Sequence, residues 1–199
     1  MYLSYLQIEQ KAVDFLSKYH PSNTIPIPIE HIIEIVLELS IVPIKSLLHD
    51  EAIDAFLSHD LSTLYIDEDH YMGQTNRSRF TLAHEIGHIV LHKDFIRQKV
   101  KTLEEWKDKI LGAGTGTAYY ETQANQFAGC LLMPKPQIIN AYKESEQKAR
   151  KKFKEQHMQF PESQNLISFI ANDIARIFEV SSKAAEIRLK NVLLDMIPA

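Results

Sequence analysis

Near the start of the chain the apolar positions recur at helical spacing. Leu3, Leu6, Phe15, Leu16 and Tyr19 fall roughly on one face, and His20-Pro21-Ser22-Asn23 supplies a stop. A second helix is expected from about Pro28, because proline is tolerated in a first turn and Ile29, Ile32, Ile33, Val36 and Leu37 follow at helical intervals. The texture then changes. Ile41 to Leu47 reads as a strand, and Asp54 to Asp67 as a short hairpin whose arms are Ala55-Phe56-Leu57-Ser58 and Leu61-Ser62-Thr63-Leu64-Tyr65-Ile66. Asp67 to Gly73 reads as a polar turn. Helical periodicity returns from Arg77 to His92 through Phe80, Ala83, Ile86, Ile89 and Val90.

Further on, Lys101 to Leu111 is expected to form a short helix ended by the glycine-threonine loop Gly112-Ala113-Gly114-Thr115-Gly116-Thr117. Tyr119 to Leu132 is expected as a helix closed by Met133-Pro134-Lys135-Pro136, where two prolines forbid simple continuation. Three more helices follow, at about Gln137 to Gln156, Gln164 to Phe178 and Ser182 to Leu194. There is no internal repeat and no linker long enough to force two independent domains. The pattern predicts an α+β chain, mostly helical, with a small antiparallel or mixed sheet and C-terminal helices.

Composition narrows the chemistry. With 199 residues, 45% of them hydrophobic, the chain can bury a core without disulfides. Its single cysteine, Cys130, can build neither an internal disulfide nor a thiolate metal cage, so a metal site must use histidine and carboxylate. The formal charge of -4 gives no global electrostatic reason for tight nucleic-acid binding. The most apolar stretch, Ile25 to Ile44, is interrupted by Pro26, Pro28, Glu30, Glu34, Glu38 and Pro43, and a membrane span is not expected. The first residues lack the basic and continuous apolar segments of a secretion signal, which leads us to expect a cytoplasmic protein.

His84-Glu85-Ile86-Gly87-His88 matches H-E-x-x-H. Residues four apart on a helix project from nearly the same side, so two imidazoles can share one zinc ion while the glutamate between them sits near its bound water. Gly87 adds weight to this reading. Glycine inside a helix costs about 0.5–1 kcal/mol relative to alanine, so its place between the histidines points to the close approach of another backbone or a ligand. The bland alternative is an amphipathic core helix with two polar residues at its edge.

A catalytic zinc takes three protein ligands and leaves a fourth position for water. Several candidates compete for the third. Asp94 occupies the ligand position of the extended pattern H-E-x-x-H-x-x-G-x-x-H/D, although Leu91 stands where that pattern has glycine. Glu121 opens a helical segment in which the small Ala124 and Ala128 permit close packing against the first helix. Asn125, four residues after Glu121, lies beside it and can hydrogen-bond a metal-bound histidine. His92 extends the histidine series by one more turn, but three successive turns of a straight helix cannot wrap one tetrahedral ion, so a packing or outer-shell role is expected. Cys130 reads as a small buried side chain.

The blocks Arg79-Phe80-Thr81-Leu82-Ala83-His84-Glu85-Ile86-Gly87-His88-Ile89-Val90-Leu91-His92, Glu121-Thr122-Gln123-Ala124-Asn125-Gln126-Phe127-Ala128 and Leu131-Leu132-Met133-Pro134 together resemble the ImmA/IrrE family of metallo-endopeptidases. Leu64-Tyr65-Ile66-Asp67 also resembles the strand that precedes the active helix in that family. The likeness covers roughly residues 25 to 135 and, more weakly, the C-terminal helices. It implies a zincin-like catalytic domain over residues 1–135, with a helical C-terminal region over 136–199 packed on it. It implies a gluzincin-like site with one zinc ion and its bound water, His84, His88 and Glu121 as ligands and Glu85 as catalytic base. It further implies an endopeptidase that cleaves a protein partner, typically a helix-turn-helix repressor, and so relieves repression. Gln123 departs from the family, whose members commonly carry a second glutamate there. The oxyanion-stabilising residue stays open among Tyr65, Tyr71, Tyr119, Tyr120, His59, His70 and Arg79.

Ile174 to Ile187 resembles the centre of a helix-turn-helix, which makes a DNA-binding regulator the main alternative and a zinc-binding regulator without turnover a third. Against DNA reading, Glu179 holds the usual turn-glycine position and Glu186 puts a negative charge on the would-be recognition helix. The basic run at Lys148, Arg150, Lys151, Lys152 and Lys154 is surrounded by Glu144, Glu146 and Glu155, and reads as a solvated helix face.

Overall fold

The computed structural model describes residues 3–73, 75–99, 103–106, 118–161 and 163–194. The first helix, α1 (Tyr5–Tyr19), starts at a capping box in which the Ser4 hydroxyl accepts from the Gln7 N–H and the Gln7 side chain accepts from the Ser4 N–H. The second element is shorter than its periodicity suggests. α2 (Ile29–His31) runs directly into a π-helical turn, Ile32–Val36, closed by the Leu37 N–H donating to the Ile32 carbonyl at 2.9 Å.

Three strands follow: β1 (Ser40–Ile44), β2 (Ala55–Leu57) and β3 (Thr63–Asp67). They form a mixed sheet in the order β1-β3-β2, with β1 parallel and β2 antiparallel to β3. The expected strand over Ile41 to Leu47 stops at Ile44, because Ser46 turns left-handed at φ 56° and α3 (Leu47–Glu51) begins.

The expected polar turn from Asp67 to Gly73 is instead a helix, α4 (Glu68–Gly73). The cause is Asp67, whose Oδ1 accepts from the His70 N–H at 2.9 Å while Oδ2 accepts from Leu48 N–H at 2.9 Å. One carboxylate thus caps two short helices. These hydrogen bonds, that from Leu48 foremost, hold its pKa below the usual aspartate range.

The long helix α5 (Thr75–Lys99) extends past both ends of the expected Arg77 to His92 segment. Of the helix expected over Lys101 to Leu111, α6 (Leu103–Trp106) is described. The expected Gly112 to Thr117 loop lies outside the described residues. α7 (Ala118–Leu132), α8 (Lys135–Glu155), α9 (Ser163–Phe178) and α10 (Ser182–Leu194) lie close to their expected positions. Pro134 caps α8 and Pro136 fits its first turn, where a missing N–H costs nothing. The chain is therefore mostly helical α+β with one small mixed sheet.

The core forms where α5 lies against α7 and α7 against α1. Leu82 and Ile86 from α5, Phe127 and Leu131 from α7, and Ile8 from α1 are fully buried, together with Leu64 and Ile66 of β3. Burying each such side chain contributes about 1.5–3 kcal/mol. Gly87 sits where α5 and α7 come closest: a Cβ there would meet the Ala124 Cα at 3.1 Å, the Ala124 carbonyl oxygen at 3.2 Å and Phe127 Cδ1 at 3.3 Å. The helical glycine is thus explained by backbone proximity.

Two buried arginines fasten the C-terminal helices to this body. Arg79 of α5 donates to the Ile27 carbonyl at 2.8 Å and to the Glu179 carbonyl at 3.3 Å, and Asn76 donates to the Val180 carbonyl at 3.3 Å. The turn between α9 and α10 is thereby tied to α5. Arg188 of α10 donates to the Met133 carbonyl at 3.1 Å, to Glu9 Oε1 at 2.6 Å and to the Tyr5 hydroxyl.

Candidate metal centre

α5 carries His84, Glu85 and His88, and α7 carries Glu121 and Asn125. With the helices held as close as Gly87 allows, the two imidazoles and the distant carboxylate meet. His84 Nε2 and His88 Nε2 lie 3.0 Å apart, His84 Nε2 is 3.2 Å from Glu121 Oε2, and His88 Nε2 is 3.2 Å from Glu121 Oε1. His84, Glu85 and His88 form a cluster whose ligand atoms lie within 4.8 Å of one another.

The hydrogen bonds behind these rings decide where the protons sit. Gln123 is buried, and its Nε2 donates to the Leu3 carbonyl at 3.4 Å, which leaves Oε1 as the atom facing His92 Nε2 at 3.0 Å. An amide oxygen can only accept, so His92 carries its proton on Nε2 and presents a bare Nδ1. His92 Nδ1 lies 3.0 Å from His88 Nδ1, so His88 is the donor there and its Nε2 is a lone pair. Likewise His84 Nδ1 lies 3.0 Å from Asn125 Oδ1, which accepts and leaves the His84 Nε2 as a lone pair.

With both imidazoles neutral, three acceptors converge, so a proton or a cation has to sit between them. Glu121 Oε1 is buried without a hydrogen-bond partner. Ligand atoms at about 2.0–2.1 Å around a tetrahedral ion stand about 3.3 Å from one another, close to the separations here. The donor set fits a divalent cation with nitrogen and oxygen ligands.

The electrostatics agree. Burial works to lower the His84 pKa, but Glu121, Glu85 and Asn125 together raise it, so the pocket favours positive charge. Burial lowers the pKa of His88 to about 4, and that of His92 to about 4, which keeps both rings neutral. Despite its own burial, Glu121 is held far below the usual glutamate range by the two histidines. Burial lifts Glu85 to about 8, with Glu121 adding to the rise and His84 opposing it. Its Oε2 is buried and unpartnered.

Asp94, the rival third ligand, is exposed on α5 and falls outside the histidine cluster. His92 reaches His88 Nδ1 rather than the convergence point, as expected for an outer residue. Cys130 is buried and lies 3.7 Å from the Tyr5 hydroxyl.

The histidine-carboxylate cluster opens into a cleft of about 960 Å³. None of Tyr65, Tyr71, Tyr119, Tyr120, His59, His70 and Arg79 lines it. Arg79 is engaged with backbone carbonyls and the aromatic candidates lie elsewhere. The polar groups that do line it include Tyr5, Arg77, Thr81 and Asn125, and from the far end of the chain Lys183 and Arg188. Tyr5 and Arg188 escaped the sequence reading because each is apolar-patterned or surface-patterned locally and reaches the cleft only through the tertiary fold.

A mostly helical α+β chain with a histidine-carboxylate cluster at the junction of two helices is an arrangement compatible with a metallopeptidase. Residues 38–190 match the sequence model of the Peptidase M78 family, described as the IrrE N-terminal-like domain, and the chain belongs to that family. Comparison with curated proteins gives no match. A peptidase acts on a protein or peptide substrate, and no helix among the described residues is long and apolar enough to cross a membrane.

Proposed function

We propose that the chain is a zinc-dependent endopeptidase in which His84 Nε2, His88 Nε2 and Glu121 hold the ion and Glu85 moves the proton. The observation that carries this reading is the convergence of two bare imidazole nitrogens and one carboxylate, at 3.0–3.2 Å, beside an unpartnered buried glutamate oxygen. When bound, zinc supplies Lewis acidity toward a carbonyl oxygen and lowers the pKa of water. Glu85 takes a proton from the attacking water and passes it to the leaving amine. Asn125 orients His84, and the His92-Gln123 pair orients His88. The resemblance to ImmA/IrrE proteins makes a helix-turn-helix repressor the proposed substrate and relief of repression the outcome, with the cytoplasm as the place of action.

The test is incubation of zinc-loaded protein with candidate helix-turn-helix repressors from the same genome, in wild type and Glu85→Gln. Cleavage by wild type, lost in the variant while its zinc content stays, is the expected result. Equal cleavage by both would remove Glu85 from the chemistry, and zinc binding without any cleavage by wild type would favour a regulator without turnover.

A further inference from the structure

The α9–α10 pair has the outline of a DNA-reading unit, yet one side of its second helix lines the cleft. Ala185, Arg188, Leu189 and Val192 bury one side of α10, while Lys183, Ala184, Ile187 and Asn191 line the metal cleft from the other. The early positions of a recognition helix are those that would reach base edges, and here they look into the same space as His84 and Glu121. Arg79 and Asn76 clamp the preceding turn, and Arg188 bonds Glu9 and the Met133 carbonyl, so α10 is held in this orientation at its start and at its midpoint. Glu186, the charge that argued against DNA reading, pairs with Lys190 at 2.6 Å, and its bond from Ser168 turns it toward α9.

We propose that this face of α10 is the specificity wall of the cleft and takes an extended peptide with an apolar and an acidic side chain at alternate positions. This rests on the peptidase reading above. Ile187 is half exposed, a large apolar side chain on the cleft lining, and Lys183, on the same lining, stands one helical turn before it. Positions four apart on a helix hold their Cβ atoms about 5–6 Å apart. In an extended chain, side chains on one face recur about every 6.6 Å, so residues i and i+2 match Ile187 and Lys183. The opposite wall favours the same conformation. It contains Ile53, Asp54 and Ala55 at the start of β2, an edge strand. The Asp67 N–H donates to the Asp54 carbonyl and the Ser58 N–H to the Thr63 carbonyl, so the alternation of the ladder directs the N–H and C=O of Ala55 away from β3. An extended polypeptide can pair there.

Two fluorescein-labelled peptides, three repeats of Leu-Ser-Glu-Ser and three of Leu-Ser-Lys-Ser, which put Leu and the charged residue two apart on one face, test this by anisotropy on zinc-loaded Glu85→Gln protein, which binds without turnover. The Leu/Glu peptide should bind about fivefold tighter than Leu/Lys, with the gap shrinking at high salt. Lys183→Glu should reverse the order, and Ile187→Ser should weaken both peptides about fivefold, each with zinc content unchanged. Equal affinity for the two peptides, or an order that survives Lys183→Glu, overturns the proposal. Lys183-dependent binding of a labelled DNA duplex in place of peptide overturns it too. Cleavage of the Leu/Glu peptide by wild-type protein is measured alongside: peptide binding as described without cleavage would sink the peptidase reading and leave the wall standing.

Discussion

The molecule holds two buried polar networks of opposite character. Around Arg188 each guanidinium nitrogen has an acceptor: the Met133 carbonyl, the Tyr5 hydroxyl and Glu9, and Lys135 approaches the other Glu9 oxygen at 3.8 Å. Around His88 the outer bonds are met just as fully, through His92, Gln123 and the Leu3 carbonyl, but the inner atoms are left as facing acceptors. Both networks are buried and both span the chain. What separates a structural cluster from a ligand-seeking one is therefore the direction in which its satisfied bonds point, not its burial or charge. The Arg188 network consumes its own charges, whereas the His88 network uses its outer bonds to strip protons from its inner face.

The contrast breaks most severely at Arg188. Arg188→Ala strands a buried Glu9 carboxylate and should lower unfolding free energy by about 3–5 kcal/mol in calorimetry. Replacing both partners, Arg188→Met with Glu9→Leu, should recover most of that loss, and neither change should alter zinc affinity in folded protein. At the other network the effects invert. Glu121→Ala should leave the melting temperature of the metal-free protein close to wild type, yet weaken zinc binding by more than the roughly 10–100-fold typical of an outer partner, as read by chelator competition. An equal loss in Asp94→Ala would reassign the third ligand. Gln123→Leu removes the acceptor that fixes His92 and should cost about 10–100-fold in zinc affinity, while Gln123→Glu keeps an acceptor and should bind zinc within that margin. Smallest is Asp67→Asn, which touches neither network and should cost about 1–2 kcal/mol. Since the folded-state pKa of Asp67 is depressed, its contribution is present above the ordinary aspartate range and lost as pH falls through the lowered value. The variant should flatten that part of the acid denaturation curve.

The α5–α7 pair was largely legible from residue order, because local periodicity and the His84-Glu85-His88 spacing require no knowledge of distant contacts. Gly87 even predicted the close approach that brings Glu121 across. The failures share one physical cause. α4 was read as a turn because its start depends on a single Asp67 carboxylate that also serves Leu48, a partner reached only through the sheet. Tyr5 and Arg188 stand at opposite ends of the chain, and neither neighbourhood in sequence signals a cleft. Ile174 to Ile187 resembles a helix-turn-helix in sequence, with Glu179 and Glu186 against DNA reading, but which way α10 turns is fixed by Arg79, far away in the chain. Periodicity gives the faces of a helix, but only tertiary clamps decide what each face sees.

Position 87 carries one last consequence. It offers no atom to an ion and none to a peptide, yet the gap between α5 and α7 is no wider than the missing side chain permits. In a library scored for metal retention, tolerance at this position would track residue volume rather than chemistry. A functional centre can thus include a member whose whole role is to take up no room.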